Sequence, residues 1–597
     1  MGLITALLSA AALFLTIALI AALITIGILV AEIRHPPSVL PKWPVSPIQF
    51  GTYKNAAVAA DNGFCSEIGR DVLLDGGNAM DAAIAALFCV GAMDPHSAGL
   101  GGGHFMTMYN SATKECHTID ARETAPTAAY RDMYKDNPGG YVKGWTAVAV
   151  PGELAGLWAA YRRYASGRVG WRRLIAPTVG MLARGVVVSS AVAKALARKK
   201  PLFANTSMSI FINPDTNDVY KEGELMRRPT LAKTLDLLAN STDPVAEFYN
   251  GSIASQLARE FSDNGGFITR SDLVNYRLVV DSQPITVELP RSKLSVCGPR
   301  PPSAAGLAIS MLQILDDKGI DAASNLSTIQ QTTEVLHRFI EAMKFTYAQR
   351  GKLADPAFVP TVTQMIQHVT SSDYISSVQH RITDQTHPMA YYDEKLTDFQ
   401  EDAGTSHLSV IDSDGNAVSV TSTINMYFGA RVRSPSTGII WNDEMNDFAV
   451  PNKRNSYGLK PSAANYIEPG KRPASSMAPI IVFDKTTGQV RLVDGAAGGS
   501  KILSAVAYTA MRALWFNETL KQALDAPRLH DQLTKNVTER EPNFPEIYVK
   551  ALEERGHQFA NRTGRFTVVT AVAKADQGPV FADSDFRKGP SSFPAGY

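Results

Sequence analysis

Residues 402–425 read DAGTSHLSVIDSDGNAVSVTSTIN, and the fold turns on how this stretch is read. Two alternating runs flank Ser413-Asp414-Gly415, a hairpin signal whose three-residue loop ends in glycine. Such loops pair a type I turn with a left-handed residue. Asp412 then faces Asn416, and counting outward puts Thr423 directly opposite Thr405, with Cβ atoms about 5 Å apart. Alternation sends Leu408, Val410, Val418 and Val420 to a buried face. Thr405, His407, Ser409, Ser419, Thr421 and Thr423 share the other face, which is small and mostly hydroxylated.

That face opens on Gly404-Thr405, and the pair suggests a reason. If the bond between them were cut, Thr405 would carry a free α-amine beside its own hydroxyl. An α-amine titrates near about 7.7–8.0, so it can act as base for that hydroxyl. Gly404 would hinder attack on its carbonyl very little. Read alone, the same residues also suit an ordinary strand start.

The chain has 597 residues, 45% hydrophobic and 19% charged, enough for a substantial core. A net charge of +1 excludes the basic footprint that nucleic-acid binding requires. From Gly2 through Ala31 there is no charged residue. As a helix this run would span about 45 Å, more than the roughly 30 Å of a bilayer core. It lacks the basic start of a cleavable signal and exceeds its length. The expectation is a retained signal-anchor helix within residues 1–34, then a Pro-rich stem over 35–50.

Orientation is argued from both sides. Arg34 and Lys42 beyond the span weakly favour a cytoplasmic body. Glycosylation triplets at Asn205, Asn240, Asn250, Asn325, Asn517, Asn536 and Asn561 favour an extracellular or lumenal one. Together they predict a single-pass type II protein of the cell membrane. Cys65, Cys89, Cys116 and Cys297 lack metal-ligand spacing. One or two disulfides suit an oxidising compartment, while Cys116 and Cys297 read as small buried apolar residues.

Along the chain, a short strand (NAAVAADN) precedes helical patterns in CSEIGRDVLLDGG and NAMDAAIAALFCVGAMDP. A hairpin (HFMTMYN, ECHTIDARETA) and the helix of PGELAGLWAAYRRY follow. Helices then run to about Lys352, interrupted by the strand-like ITVEL and LSVCG. From Thr405 the pattern turns to strands, including GIIW, APIIVF, QVRLVDG, FTVVTAVAK and PVFADSDF. Two helices are expected among them, Ile502 to Leu514 and Leu520 to Leu529. Helix-rich and strand-rich parts of one chain suggest sheets sandwiched between helical layers.

In order, GTSHLSV, AVSVTSTIN, YFGARVRSPSTGIIWNDEMNDF, KRPASSMAP and DGAAGGSKI closely resemble the gamma-glutamyltransferases, also called gamma-glutamyl transpeptidases or glutathione hydrolases. CSEIGRDVLLDGGNAMDAAIAALFCVGAMDPHSAGLGGG, DARETAP, AVPGELAGL and the closing FRKG and PAGY agree. The resemblance implies an α+β, four-layer αββα N-terminal-nucleophile hydrolase built from two subunits cut from one precursor. It implies cleavage between Gly404 and Thr405, giving a large subunit (51–404) and a small catalytic one (405–597) that stay associated.

Carried residue by residue, Thr405 becomes nucleophile and, through its amine, base. Thr423 supports it, and Gly498 and Gly499 are the oxyanion donors. Arg122, with Ser475 and Ser476, would grip an α-carboxylate, and Asn425, Glu444 and Asp447 an α-ammonium. Lys588 matches a lysine near the pocket of animal members. A Cys65–Cys89 disulfide is also implied. Substrates would be glutathione and its conjugates, with water, amino acids or dipeptides as acceptors, and neither metal nor organic cofactor. The rival expectations are a related amidase of shifted specificity (leukotriene-preferring or acylase-like) and an inactive membrane glycoprotein.

Overall fold

The hairpin forms as read. Gly404–Ile411 and Ala417–Asn425 pair antiparallel, and the Asp412 N–H donates to the Asn416 carbonyl at 3.0 Å. The structure is a computed structural model describing residues 2, 16–22, 40–41, 43–47, 50–281, 283–316, 326–393, 396–398, 404–451, 453, 459–535, 537–562, 566–576 and 578–597.

Around the hairpin stand two seven-stranded sheets. Their strands ahead of the hairpin are β1 (Gly51–Tyr53), β2 (Ala57–Ala60), β3 (Gly103–Asn110), β4 (Glu115–Ala121), β5 (Val279–Asp281), β6 (Ile285–Leu289) and β7 (Leu294–Gly298). From the hairpin onward they are β8 (Gly404–Ile411), β9 (Ala417–Asn425), β10 (Ile480–Phe483), β11 (Val490–Ala497), β12 (Val568–Lys574), β13 (Val580–Ser584) and β14 (Ala595–Gly596). One sheet runs β14-β2-β8-β9-β3-β4-β5 and the other β1-β13-β12-β11-β10-β7-β6. Every pairing within both is antiparallel. Each sheet takes strands from both sides of Thr405, so neither half completes a sheet alone.

Helices α1 (Gly63–Leu74), α2 (Ala79–Met93) and α3 (Glu153–Tyr164) cover the hairpin's sheet. α2 starts at a capping box in which Asn78 and Asp81 exchange side-chain and backbone bonds, and it is buried along nearly its whole length. Its apolar residues pack on Leu408, Val410, Val418 and Val420, the face assigned to the core by alternation. The other sheet packs Val296, Ile480, Val482, Leu492 and Val569 against α4 (Ala305–Leu315), α5 (Ile329–Arg350) and α6 (Ile502–Trp515). The layering is helix, sheet, sheet, helix, as the resemblance implied.

The hydroxylated face is also buried, because it looks into the gap between the sheets. Ser409 Oγ donates to the Thr570 carbonyl and Ser419 Oγ to the Asp494 carbonyl, each at 3.0 Å. Small hydroxyl side chains let the sheets meet while keeping buried polar groups paired.

Three expectations change. Cys65–Cys89 forms between α1 and α2, but Cys116 and Cys297 are also disulfide-bonded, joining β4 to β7 across the sandwich. They lie 181 residues apart, so only the stacking of the sheets brings them together. The helix from Leu520 ends at Asp525, and Leu529–His530 is a short strand. Pro527 disfavours helical backbone in the residue before it. GIIW contributes an isolated bridge between Arg433 and Ile440 rather than a strand. Most of the expected anchor lies outside the described residues, among which no helix is long and apolar enough to cross a membrane.

Candidate active site

Thr405 is buried at the start of β8, where its strand meets the end of β9. The predicted register holds from Ser406↔Ser422 to Ile411↔Ala417, then shifts so that Gly404 pairs with Asn425. Thr405 and Thr423 are therefore not a simple opposed pair, because a bulge offsets them. Their hydroxyl oxygens lie 3.5 Å apart, while Thr423 Oγ1 donates to the Gly404 carbonyl and accepts from the Asn425 N–H at 2.8 Å. The carbonyl that Thr405 would attack is thus already polarised by a hydroxyl. A Cβ on Gly404 would fall 2.4 Å from the Asn425 carbonyl oxygen, so only glycine fits there.

Asn425 links this strand end to a second cluster. It takes a left-handed backbone (φ 69) rare for residues other than glycine, and its Nδ2 donates to the Asp443 carbonyl at 3.0 Å. Asp443 leads into a single 3₁₀ turn, Glu444–Asp447, which aims both acids at Arg122. The Arg122 guanidinium, buried at the end of β4, bonds Glu444 through one terminal nitrogen and Asp447 through the other. Its Nε donates to the Pro473 carbonyl at 3.3 Å.

Charge in this cluster is unbalanced. Glu123 stands 3.6 Å from Arg122, so Arg122 faces Glu123, Glu444 and Asp447, with Asp443 behind. Burial pushes Glu123 up to about 8 and raises Glu444, Asp447 and Asp443, with Arg122 pulling the first three back. Burial would lower Arg122, but Glu444, Asp447 and Glu123 raise it on balance, so it stays charged. Glu444 Oε2 and Asn425 Oδ1 are buried without a hydrogen-bond donor. A second cation with several N–H groups would satisfy them. The cluster thus offers unmet acceptors beside a guanidinium that its own carboxylates hold charged.

The remaining expected residues divide. Gly498 and Gly499 form a turn with left-handed backbone (φ 135 and 69) at the end of β11, the strand packed across β8 and β9. Ser476 Oγ accepts from Arg350 at 3.0 Å, and Ser475 Oγ caps the Met477 N–H at 3.1 Å, both just past the carbonyls of Pro473 and Ala474 that face Arg122. Lys588 is paired with Asp61 at 2.7 Å and Asp94 at 3.3 Å. Glu123 and Asp443 were not singled out from sequence. Both sit inside motifs already read, DARETAP and WNDEMNDF, and adjacency to Arg122 and Glu444 was the available signal.

Among the described residues, His337, Glu341 and His557 also bring ligand-type atoms within 4.8 Å of one another. Their chemistry is that of a closed polar network. His337 bonds His557 at 2.8 Å and the Thr383 carbonyl at 2.7 Å, while Lys344 stands among them, 3.3 Å from Glu341 and 3.4 Å from His557. The Lys344 ammonium beside Glu341 and His557 would repel a metal cation at this cluster.

A threonine at a strand start inside an αββα sandwich, beside a buried cluster of one guanidinium and several carboxylates, is the arrangement of an N-terminal-nucleophile hydrolase. The chain belongs to the gamma-glutamyltranspeptidase family, whose model it matches over residues 65–594. It is 39% identical over 550 residues to scoloptoxin SSD14 of Scolopendra dehaani, covering 92% of this chain and 93% of that one. It is 37% identical to glutathione hydrolase 3 of Arabidopsis thaliana (86% of this chain, 79% of that one). It is 34% identical to human glutathione hydrolase 5 proenzyme (91% and 93%). Cephalosporin acylase from Bacillus halodurans shares the fold at TM-score 0.77 and 23% identity, over 94% of this chain and 98% of its own. The gamma-glutamyltranspeptidase of Helicobacter pylori aligns at TM-score 0.50 and 26% identity, over 58% of this chain and 96% of its own.

Proposed function

We propose that the chain cuts itself between Gly404 and Thr405, and that Thr405 then transfers γ-glutamyl groups from glutathione or its conjugates. Acceptors are water, amino acids or dipeptides. One observation carries this reading. Arg122 and the orphaned acceptors of Asn425 and Glu444 form a two-signed grip on the strand end that bears Thr405. Only a free amino-acid head, with α-carboxylate and α-ammonium together, uses both halves. Relatives named glutathione hydrolase support the same substrate class.

In the first event Thr405 Oγ1 attacks the Gly404 carbonyl, held by the Thr423 hydroxyl. The C–N bond breaks, an ester forms, and the amine takes the proton. Water then hydrolyses the ester, leaving a carboxylate on Gly404 and a free amine on Thr405. In turnover that amine accepts the hydroxyl proton as Oγ1 attacks the γ-glutamyl amide, and returns it to the departing amine. The Gly498 and Gly499 N–H groups serve the tetrahedral oxyanion, where one lost donor typically costs about 3 kcal/mol. Arg122 takes the substrate carboxylate, and Glu444, Asp447 and Asn425 take its ammonium.

The decisive test incubates purified protein with a γ-glutamyl anilide, with and without Thr405→Ala. The parent is expected to release aniline and to run as two bands on a denaturing gel, the smaller starting Thr-Ser-His-Leu. The variant is expected to stay whole and inactive. Aniline release by the variant at the parent's rate would sink the proposal.

Placement outside the cell, on a type II anchor, belongs to the same reading. It is supported by the uncharged run from Gly2 to Ala31, by both disulfides, and by the exposure of Asn205, Asn240, Asn250, Asn517 and Asn561. Asn325 and Asn536 lie outside the described residues. Glycosidase treatment that leaves the mobility of protein from a secretory host unchanged would count against it.

A further inference from the structure

His407 is a buried imidazole on the face of β8 that carries Thr405, and the mechanism above gives it no part. Its Nε2 lies 3.1 Å from Ser409 Oγ and its Nδ1 2.8 Å from Thr421 Oγ1. Ser409 uses its own proton on the Thr570 carbonyl, so it must accept from the imidazole, which fixes the proton on Nε2. Nδ1 then accepts from Thr421. Thr570 Oγ1 returns a bond to the His407 carbonyl at 3.2 Å. Through these bonds the ring ties β8 and β9 to β12.

The ring also fits a hole in the facing sheet. Gly495 of β11 pairs with Thr570, and a Cβ there would lie 2.1 Å from His407 Cε1. Gly495 has no positive φ, so the glycine is needed for space rather than for backbone conformation. Thr405 lies just before His407 on one strand, and the Gly498–Gly499 turn just after Gly495 on the other.

Resting on the reading of Thr405, Gly498 and Gly499 given above, we propose that His407 is a positioning residue. Keyed into the space over Gly495, it sets the gap and register between the nucleophile strand and the strand that ends in the oxyanion turn. Burial holds the imidazole down to about 3, so it stays neutral across the working range and acts by shape and hydrogen bonding. The nucleophile and the oxyanion donors stand on separate sheets, so their distance depends on sheet spacing at this point. A misplacement of about 1 Å in such a site can cost roughly 100-fold in rate.

The test compares the parent with His407→Asn, Gly495→Ala, His407→Ser and the double variant Gly495→Ala/His407→Ser, on a γ-glutamyl anilide. His407→Asn keeps an acceptor for Thr421 but shortens the key, and is expected to lower kcat at least tenfold with KM nearly unchanged. The acid limb of its pH profile is expected to match the parent's, because no titrating base is lost. Gly495→Ala is expected to lower kcat about 100-fold, and His407→Ser in that background to recover part of the loss. Unchanged kcat in His407→Asn, a loss confined to KM, a shifted acid limb, or single effects that merely multiply in the double variant would each overturn the inference. If Gly495→Ala does not fold, His407→Asn alone decides it. A parent inactive on the anilide overturns the reading of the site and this inference with it; an active parent with indifferent variants overturns the inference alone.

Discussion

Arg122 is where single residues govern the most chemistry. Its planar fork serves Glu444 and Asp447 at once, which a lysine ammonium cannot copy. Arg122→Lys is expected to lower kcat/KM by about 100-fold, the equivalent of one charge-assisted bond of roughly 3 kcal/mol. Glu123 sets a pH dependence. Held up to about 8 by burial, it is protonated below that pH and then adds no negative charge for an incoming ammonium. Donor capture should therefore strengthen as pH rises through about 8. Glu123→Gln is expected to remove that component from kcat/KM while the limb in kcat, which reports the Thr405 amine, remains. Arg122, Glu444, Asp447 and Asn425 were legible because whole motifs carry them. Glu123, in one of those same motifs, was passed over, because a sequence gives residue types but not which side chain is deprived of water.

At the scale of elements, the hairpin was readable almost to its end. Loop chemistry and alternation gave its register, and the structure keeps that register from Ile411 back to Ser406. The bulge at Thr405 was not readable, since it arises where Gly404 must pass the Asn425 and Met426 backbone at close range. Its effect is to put the Thr423 hydroxyl on the Gly404 carbonyl. Thr423→Val keeps the branched shape and removes that hydroxyl. Self-cleavage in this variant, followed on denaturing gels, is expected to slow on the order of 100-fold while the melting temperature moves little. Loss of cleavage together with loss of folding would point to packing instead.

Across the whole molecule, the two halves share both sheets, and β2 from the first half lies against β8 from the second. The cut protein is expected to elute as one species in native buffer and to separate only on denaturation. Acid should loosen it. Burial, then Lys344, depresses His557 from 6.5 to about 2, and burial lowers His337 as well, so both stay neutral in the fold. The unfolded chain gains protons on them as pH falls below 6.5, so their contribution is full above that value and shrinks beneath it. His557→Gln is expected to flatten the fall in melting temperature below pH 6.5. Cys116→Ser, which opens the tie between the sheets, is expected to cost about 2–5 kcal/mol in denaturant titrations.

Period-two alternation, turn chemistry and ordered motifs determined the strands, the hairpin and the family, because each is a property of neighbouring residues. Tertiary structure alone decided that the hydroxyl face looks inward to a second sheet, that Cys116 meets Cys297, and that His407 fills the space over Gly495. Those contacts join residues far apart in the chain, and their energies come from burial and from donors meeting acceptors across layers, which local sequence does not encode.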